Sequence, residues 1–140
     1  DITTAQDADQ DTLDRLGLTG DYVQLIGFRR VADQPPQAIT AVYIRADVAP
    51  DTSIIANLSG SVSEWIEANQ DVSIERVMQR MEAVALNKSQ ADRLGLSTGY
   101  PALRTVRRYR DSDGAIILLS ESLHPAGRFA YEMRLDRTKA

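Results

Sequence analysis

Two stretches of this chain repeat each other in the same order. The first contains Asp14-Arg15-Leu16-Gly17-Leu18 and then Arg29-Arg30; the second contains Asp92-Arg93-Leu94-Gly95-Leu96 and then Arg107-Arg108, 78 residues later. In each copy the Leu-Gly pair is typical of the end of a helix, and the following residues favour two strands joined by a turn. Since a solenoid needs about three or more stacked repeats, two copies predict two β-hairpins side by side in one sheet, with approximate two-fold symmetry.

The remaining residues predict how these hairpins are joined and covered. Residues 61–68 have the pattern of a helix, and residues 72–86 that of a long strand. The polar, acidic residues 1–11 predict a linker or the frayed start of a helix. Together the segments predict an α+β fold in which helices cover a mostly antiparallel β-sheet. The predicted helices are 12–16, 61–68 and 88–94, and the predicted strands are 22–31, 38–44, 72–86, 102–109, 116–123 and 129–135.

Composition excludes several classes of protein. A chain of 140 residues, 43% of them hydrophobic, is long enough for one domain with a core. Its 16 Lys and Arg against 20 Asp and Glu give a net charge of −4, which argues against a broad basic surface for nucleic acid. With no cysteine and only one histidine, His124, the chain has no disulfide, no thiolate nucleophile and no zinc site built on Cys or His. We therefore expect no metal and no cofactor.

The sequence also bears on location and extent. No apolar run approaches the length of a membrane span, about 18 residues, and no signal peptide is visible. A cytoplasmic setting is therefore expected, without membrane contact. Because the chain starts at Asp1 rather than at a methionine, we expect it to be a piece of a longer protein.

Four longer stretches carry a family resemblance; in chain order they are GFRRVADQPPQAITAVYI, SGSVSEWIE, ERVMQRMEAVALNKSQADRLGL and YPALRTVRRYRDSDGAIILLSESLHPAGRFAYEM. They resemble successive elements of the UTRA effector-binding domain in the HutC branch of the GntR superfamily, over roughly residues 12–136. The resemblance implies a chorismate lyase-like fold and an effector-binding domain over residues 12–140, preceded by a linker remnant. It also implies a homodimeric bacterial transcription regulator whose N-terminal winged-helix DNA-binding domain is absent from this chain.

The start of the central helix is the first candidate site. In Ser59-Gly60-Ser61-Val62-Ser63, serine and glycine precede an amphipathic run and mark a helix N-terminus, where free N–H groups attract anions. The residues alone leave a plainer interpretation open, in which Ser61 only caps the helix and Glu64 completes a capping box. The resemblance implies the binding role, with Ser61 and Ser63 at the phosphate or carboxylate of the effector.

Arg30 and Arg76 are the candidate anion ligands. Arg29 and Arg30 point to opposite faces of their predicted strand, so only one of them can face a pocket. The resemblance places the family's pocket arginine at Arg30 and a second effector-contacting arginine at about Arg76. A guanidinium suits this task because its planar fork meets a carboxylate or phosphate through two hydrogen bonds. Arg29, Arg107 and Arg108 are expected to be solvated surface residues, which is the commoner fate of such pairs.

The closing hairpin adds a further group of candidates. Strand alternation places Leu118, Ser120, Ser122 and His124 on one face, and Thr40 is the equivalent of Leu118 in the first copy. By the resemblance, relatives often have glutamate at the Leu118 position, some have glutamate at the Thr40 position, and tyrosine is common at the His124 position. The implied pocket is less polar, and suits an apolar or small body with an anionic end better than a sugar.

Three functions are compatible with these observations. The first is a sensor that binds a small anionic effector, a carboxylate or a phosphate, and relays its presence to attached DNA-binding domains. The alternative is an enzyme similar to chorismate lyase, which would need a positioned acid or base that these residues supply poorly. The third is a dimerisation module with an empty cleft. The predicted effector contacts are Arg30, Thr40, Ser61, Ser63, Arg76, Leu118, Ser120 and His124.

Overall fold

The computed structural model describes residues 2–30, 32–58 and 61–138, and it has the predicted α+β fold built on one antiparallel sheet. Its elements are β1 (Ile2–Asp7), α1 (Gln10–Leu16), β2 (Tyr22–Arg29), β3 (Ala38–Arg45), α2 (Thr52–Ala56), α3 (Val62–Asn69), β4 (Arg76–Ala85), α4 (Lys88–Leu94), β5 (Pro101–Arg110) and β6 (Ile116–Pro125). The strands lie side by side in the order β1-β2-β3-β6-β5-β4.

The strand order shows how the repeat is used. β1, α1, β2 and β3 form one half of the molecule, and β4, α4, β5 and β6 form the other, so that the copies meet where β3 pairs with β6. The backbone N–H of Ala8 donates to the Tyr22 carbonyl at 2.9 Å, and the N–H of Leu86 donates to the Tyr100 carbonyl at 2.9 Å. This is the same bond in each copy, and the backbone therefore has the predicted approximate two-fold symmetry.

The two hairpins differ in length. Arg29 and Ala38 form the last pair of the first hairpin, whereas Arg107, the repeat equivalent of Arg29, pairs with Ser120 well before the turn. The longer second hairpin shifts β6 against β3, so Thr40 lies opposite Ser122, and the Thr40 Oγ1 and Ser122 Oγ atoms are 2.9 Å apart. The predicted equivalence of Thr40 with Leu118 is therefore wrong: Ser122 is the structural counterpart, and this pair lies on the pseudo-two-fold axis.

Helices α1 and α4 cover one face of the sheet, which we call the covered face. Each helix is capped at its start by a side chain, Asp9 or Asn87. Each helix ends at a glycine with a left-handed backbone, and this ending is predicted from the sequence. The core residues of this face are Leu13, Leu16, Tyr22, Ile39, Tyr43, Ala91, Leu94, Ala102, Val106, Leu119 and Leu123.

An ionic cluster ties α1 to the second hairpin on the covered face. The Glu121 side chain, 14% exposed, accepts hydrogen bonds from Arg15 at 3.0 Å and from Arg104 at 2.8 Å. Arg104 also donates to Glu82 at 2.7 Å. Burial alone would raise the pKa of Glu121, but the bonds from the two arginines outweigh burial and hold this pKa below its usual value. Glu121 is therefore ionised at neutral pH.

The opposite face is covered at one end only. There α2 and α3 place Ile55 and Ile66 against Ile44 and Leu118 of the sheet. Helix α3 agrees closely with the helix predicted over residues 61–68, whereas α2 was not predicted, because a helix of five residues is too short to show a periodic pattern.

Three predicted segments need correction. The linker predicted over residues 1–11 is wrong for the described residues, because β1 covers Ile2–Asp7, whereas the alternative of a helix start agrees with α1, which begins at Gln10. Strand β1 was missed because an edge strand with one neighbour does not need an apolar run. The long strand predicted over residues 72–86 begins only at Arg76. The strand predicted over residues 129–135 is not formed in this chain. The strand predicted over residues 22–31 corresponds to β2, and its predicted last residue, 31, lies outside the described residues.

Gly17 and Gly95 offer a matched test of the repeat. Their φ angles are 70° and 68°, and a Cβ atom added at either position would meet no atom within 4 Å. Replacing either glycine with alanine should therefore cost only the left-handed backbone strain, about 1–2 kcal/mol of unfolding free energy in urea titrations. Asparagine tolerates this conformation, so Gly17→Asn and Gly95→Asn should each cost less; an unequal cost at the two sites would contradict the equivalence of the two helix ends.

Candidate functional site

The uncovered part of the sheet lies opposite α1 and α4, next to α3 and the residues after β6. We call it the open face. Its side chains come from alternate positions of four strands, as the strand register requires. They are Gly27 and Arg29 of β2, Thr40 and Val42 of β3, Ser120, Ser122 and His124 of β6, and Thr105 and Arg107 of β5.

One cavity of about 340 Å³ lies between the open face and the start of α3. Its walls mix apolar side chains with a hydroxyl and a guanidinium: the lining includes Leu25, Gly27, Arg29, Thr40, Val42 and Val62. Val62 is the first residue of α3, so the start of this helix lies beside the cavity.

A second cavity of about 300 Å³ lies on the other side of Arg29. Phe129 forms one wall, where its ring stacks on His124 with centroids 4.0 Å apart. The lining residues are Arg29, Gln37, Ala38, His124, Arg128, Phe129 and Ala130. Arg29 is therefore the residue that both cavities share, and neither cavity is lined by a carboxylate among the residues that the structure describes.

The contacts at the start of α3 support the capping interpretation of Ser61. The N-terminal end of the helix nevertheless lies next to the first cavity. Ser61 Oγ accepts the backbone N–H of Glu64 at 3.1 Å and lies 3.1 Å from Ser63 Oγ. The two hydroxyls thus contact each other as well as the helix end. Ser59 and Gly60, which the sequence motif includes, lie outside the described residues.

Arg30 is not on the open face. β2 ends at Arg29, and the Arg30 guanidinium carbon lies 4.9 Å from the centre of the Phe28 ring. Phe28 packs against the covered-face core together with Ile26, and it also lines the first cavity. Arg29 shares its face with Thr40 and lines both cavities, whereas Arg30 stacks on Phe28. The assignment of the effector contact to Arg30 stays a prediction.

Arg76 also lies away from the open face. It is the first residue of β4, which is separated from β3 by β6 and β5, or about 14 Å at about 4.8 Å per strand. By alternation Arg76 shares a side with Glu82, whose partner Arg104 binds Glu121 on the covered face. The structure therefore does not bring Arg30, Arg76 and Ser61 together as one anion site.

The candidates of the closing hairpin divide between the open face and the core. Thr40, Ser120 and His124 share the open face, as predicted, and Thr40 and His124 each line a cavity. Leu118 is on the same face but is buried with Ile44 under α2 and α3. It therefore belongs to the core beside the site and lines neither of the two cavities.

Six of the nine open-face residues were not among the predicted contacts, and four of these six carry polar side chains: Arg29, Thr105, Arg107 and Ser122. Ser122 is held by Thr40, and the Arg107 Nε atom donates to Gln79 Oε1 at 2.6 Å. Thr105 Oγ1 is buried without a hydrogen-bond partner among the described residues. Strand alternation already places Ser122 on this face in the sequence, and it leaves Arg29 as the alternative to Arg30. The pairing of Thr105 with Ser122 depends on a hairpin length that no local pattern shows.

The described residues contain neither a metal site nor a membrane-spanning helix. Over 2–30, 32–58 and 61–138, no three Asp, Glu or His side chains are grouped so that they could hold a metal ion. Within the same ranges no helix combines the length and the apolar composition that crossing a bilayer requires.

Comparison with known proteins gives a consistent assignment of the fold. The family model described as the UTRA domain matches residues 3–130. No curated protein matches the chain in sequence.

Solved structures with this fold include three bacterial regulators. A GntR-family transcriptional regulator from Enterococcus faecalis V583 is 18% identical with a TM-score of 0.78, over 96% of this chain and 99% of that chain. A GntR-family regulator from Bacillus cereus is 16% identical with a TM-score of 0.77, over 97% of this chain and 96% of that one. The effector domain of PhnF from Mycobacterium smegmatis is 17% identical with a TM-score of 0.72, over 97% and 85%.

The environment of His124 predicts a pH dependence of stability. Burial, followed by the nearby charge of Arg29, lowers the pKa of His124 below its usual value of about 6.5. The unfolded chain therefore binds this proton more readily, and stability should fall as the pH drops from about 7.5 through about 6.5. Melting temperatures across this range should show the loss in the parent protein but not in His124→Gln, since the chain has no other histidine. A parent protein that becomes more stable on acidification would contradict the direction of the His124 shift.

Proposed function

Because the chain belongs to the UTRA domain family, we propose that it is the effector-sensing domain of a bacterial transcription regulator and that the effector is a small anion, either a carboxylate or a phosphate. The resemblance of its motifs supports the HutC branch of the GntR regulators. The DNA-binding winged helix would be a separate N-terminal domain of the same protein, acting in the cytoplasm. DNA contact would then come only through that domain.

The observation that carries the proposal is the position of Arg29. It lies between two cavities that no described carboxylate lines, beside the first turn of α3 and the hydroxyl of Thr40. A guanidinium in this position can bind a carboxylate or phosphate through two hydrogen bonds, and backbone N–H groups at the α3 start can satisfy further oxygens.

The walls of the cavities indicate the body of the effector. Leu25, Val42 and Val62 are apolar, and the stacked rings of His124 and Phe129 close the second cavity. Hydroxyls come from Thr40 and Ser122, which already bond to each other. Few free acceptors remain for the hydroxyls of a sugar, so an effector with an apolar or small body is favoured.

Strand β1 provides a direct connection from this site to an upstream domain. β1 pairs with β2, and the register places Ile2 opposite Gly27, which lines the first cavity. An effector that shifts β2 at Gly27 and Arg29 would therefore shift the strand through which a preceding DNA-binding domain is attached. We further propose a homodimer, since regulators that read two DNA half-sites commonly share a two-fold axis with their operator.

The substitution Arg29→Ala tests the anion site. Arg30→Ala is its control, because Arg30 is the next residue in the chain and lies outside both cavity linings. Loss of a charge-assisted bidentate contact should lower effector affinity by about 10- to 150-fold. A panel of carboxylates and phosphates should contain compounds that raise the melting temperature of the parent and of Arg30→Ala, and raise that of Arg29→Ala much less.

Arg76→Ala is a second control, because Arg76 lies on the distant β4 strand. Titration calorimetry with the best compound of the panel should give equal affinities for this variant and the parent. An affinity that falls in Arg30→Ala or Arg76→Ala but not in Arg29→Ala would place the anion site elsewhere and restore the assignment made from the sequence.

We expect no turnover of chorismate, the reaction of the enzyme alternative. The only histidine, His124, is stacked on Phe129, and neither cavity offers it a carboxylate partner among the described residues. General acid–base catalysis needs such a positioned group. Incubation with chorismate should therefore release no 4-hydroxybenzoate above the uncatalysed rate; release that Arg29→Ala abolishes would support the enzyme instead.

A further inference from the structure

The residues after β6 have the pattern of a strand but form no strand in this chain. In Tyr131–Asp136, which we call the tail segment, apolar and charged residues alternate. The apolar members are strongly exposed: Tyr131 is 56%, Met133 62% and Leu135 81% accessible. Between them lie Glu132, Arg134 and Asp136. Such alternation is typical of a strand with one apolar and one polar face, and here it lacks a neighbour.

The sheet meanwhile has a long free edge. β4 is ten residues long and pairs only with β5, so half of its backbone N–H and C=O groups point away from the sheet. Val77 and Met78 on this strand are half-exposed apolar residues. An edge of this length and composition is a ready template for another strand.

The tail segment is too short to pair along this edge in its own chain. Arg128 donates to the Pro36 and Leu94 carbonyls at 2.9 and 3.0 Å, and Ala130 lines a cavity with Arg29 and Gln37 on the β2–β3 side. From β3 to the outer side of β4 is about four strand spacings, or about 19 Å. At no more than about 3.6 Å per residue, crossing it would use about five residues, nearly the whole tail segment.

We propose that in the homodimer the tail segment of each protomer pairs antiparallel with β4 of its partner, adding one strand to each sheet. This inference rests on the homodimer proposed above and not on the identity of the effector. In the proposed register, Tyr131 lies opposite Met81, Glu132 opposite Arg80, Met133 opposite Gln79, Arg134 opposite Met78, Leu135 opposite Val77, and Asp136 opposite Arg76.

Charge complementarity selects this register. Both acidic residues of the tail segment meet an arginine of β4, and the apolar tail residues share their side of the ladder with Met81 and Val77. A slip of two residues in one direction places Arg134 opposite Arg76. The opposite slip places Glu132 opposite Glu82 and Arg134 opposite Arg80. A slip of one residue moves the apolar side chains to the other face.

Two alternatives are less favourable. A parallel arrangement would also pair acids with arginines, Glu132 with Arg76 and Asp136 with Arg80, but every pairing in this sheet is antiparallel, and parallel pairing is slightly less stable. The other sheet edge, β1, has the sequence ITTAQD and offers no arginine to the tail segment.

Two single charge reversals test the register. In Glu132→Arg, the new arginine would face the partner's arginine at position 80 twice per dimer; in Arg80→Glu, two glutamates would face each other in the same way. Each variant alone should therefore dimerise at least about tenfold more weakly than the parent at low salt, by sedimentation equilibrium.

Mixing the two variants should restore the dimer. In the mixed pair, one interface joins the arginine introduced at position 132 of the first variant to the glutamate introduced at position 80 of the second. The other interface is that of the parent, so both are complementary. Recovery on mixing also shows that both variants are folded. Asp71→Arg makes the same change of charge on an exposed loop and should dimerise like the parent.

Each other outcome contradicts a stated part of the proposal. If the parent dimerises but the mixed variants stay as weak as each alone, the tail segment does not pair with β4 in this register. If Glu132→Arg is instead rescued by mixing with Arg76→Glu, the pairing is parallel. A parent that stays monomeric at high micromolar concentration overturns the homodimer itself, and leaves effector binding at Arg29 to be judged separately.

Discussion

The pairing of β3 with β6 is the contact on which the rest of this structure depends. It joins the two halves of the repeat into one sheet, and without it each half would be a short sheet with an exposed edge and a single helix. Thr40 and Ser122 pair with each other on its pseudo-two-fold axis, and their hydroxyls satisfy each other on a partly buried surface. The same seam brings Glu121 to the position where Arg15 of the first half and Arg104 of the second both reach it.

Strand alternation places carboxylates and hydroxyls on opposite faces of the sheet. Glu82 and Glu121, which follow the alternation of β4 and β6, lie on the covered face and are neutralised by arginines there. Thr40, Ser120 and Ser122 point to the opposite side. The open face therefore combines hydroxyls and guanidinium groups, and no carboxylate of the described residues lines its cavities. This electrostatic setting favours an anionic ligand.

Features encoded locally could be predicted, whereas those set by pairing could not. The glycine stops at Gly17 and Gly95 depend on a few neighbouring residues, and they are where the sequence predicts them. Which arginine faces the site depends on which face of β2 the helices cover, and this is a property of the assembled sheet. Strand β1 carries no apolar run because a single neighbour holds it, so hydrophobic periodicity could not reveal it.

The repeat builds two similar halves, but the segments that come after the two hairpins make them unequal. After β3 the chain forms α2 and α3, which bury Leu118 and Ile44 and place a helix start beside Arg29. After β6 it passes over His124 through Phe129 and closes the second cavity. Arg107, the symmetric counterpart of Arg29, receives neither neighbour and bonds to Gln79 instead. Approximate symmetry therefore supplies two guanidinium groups on one face, and the two different connections form the two cavities beside only one of them, Arg29.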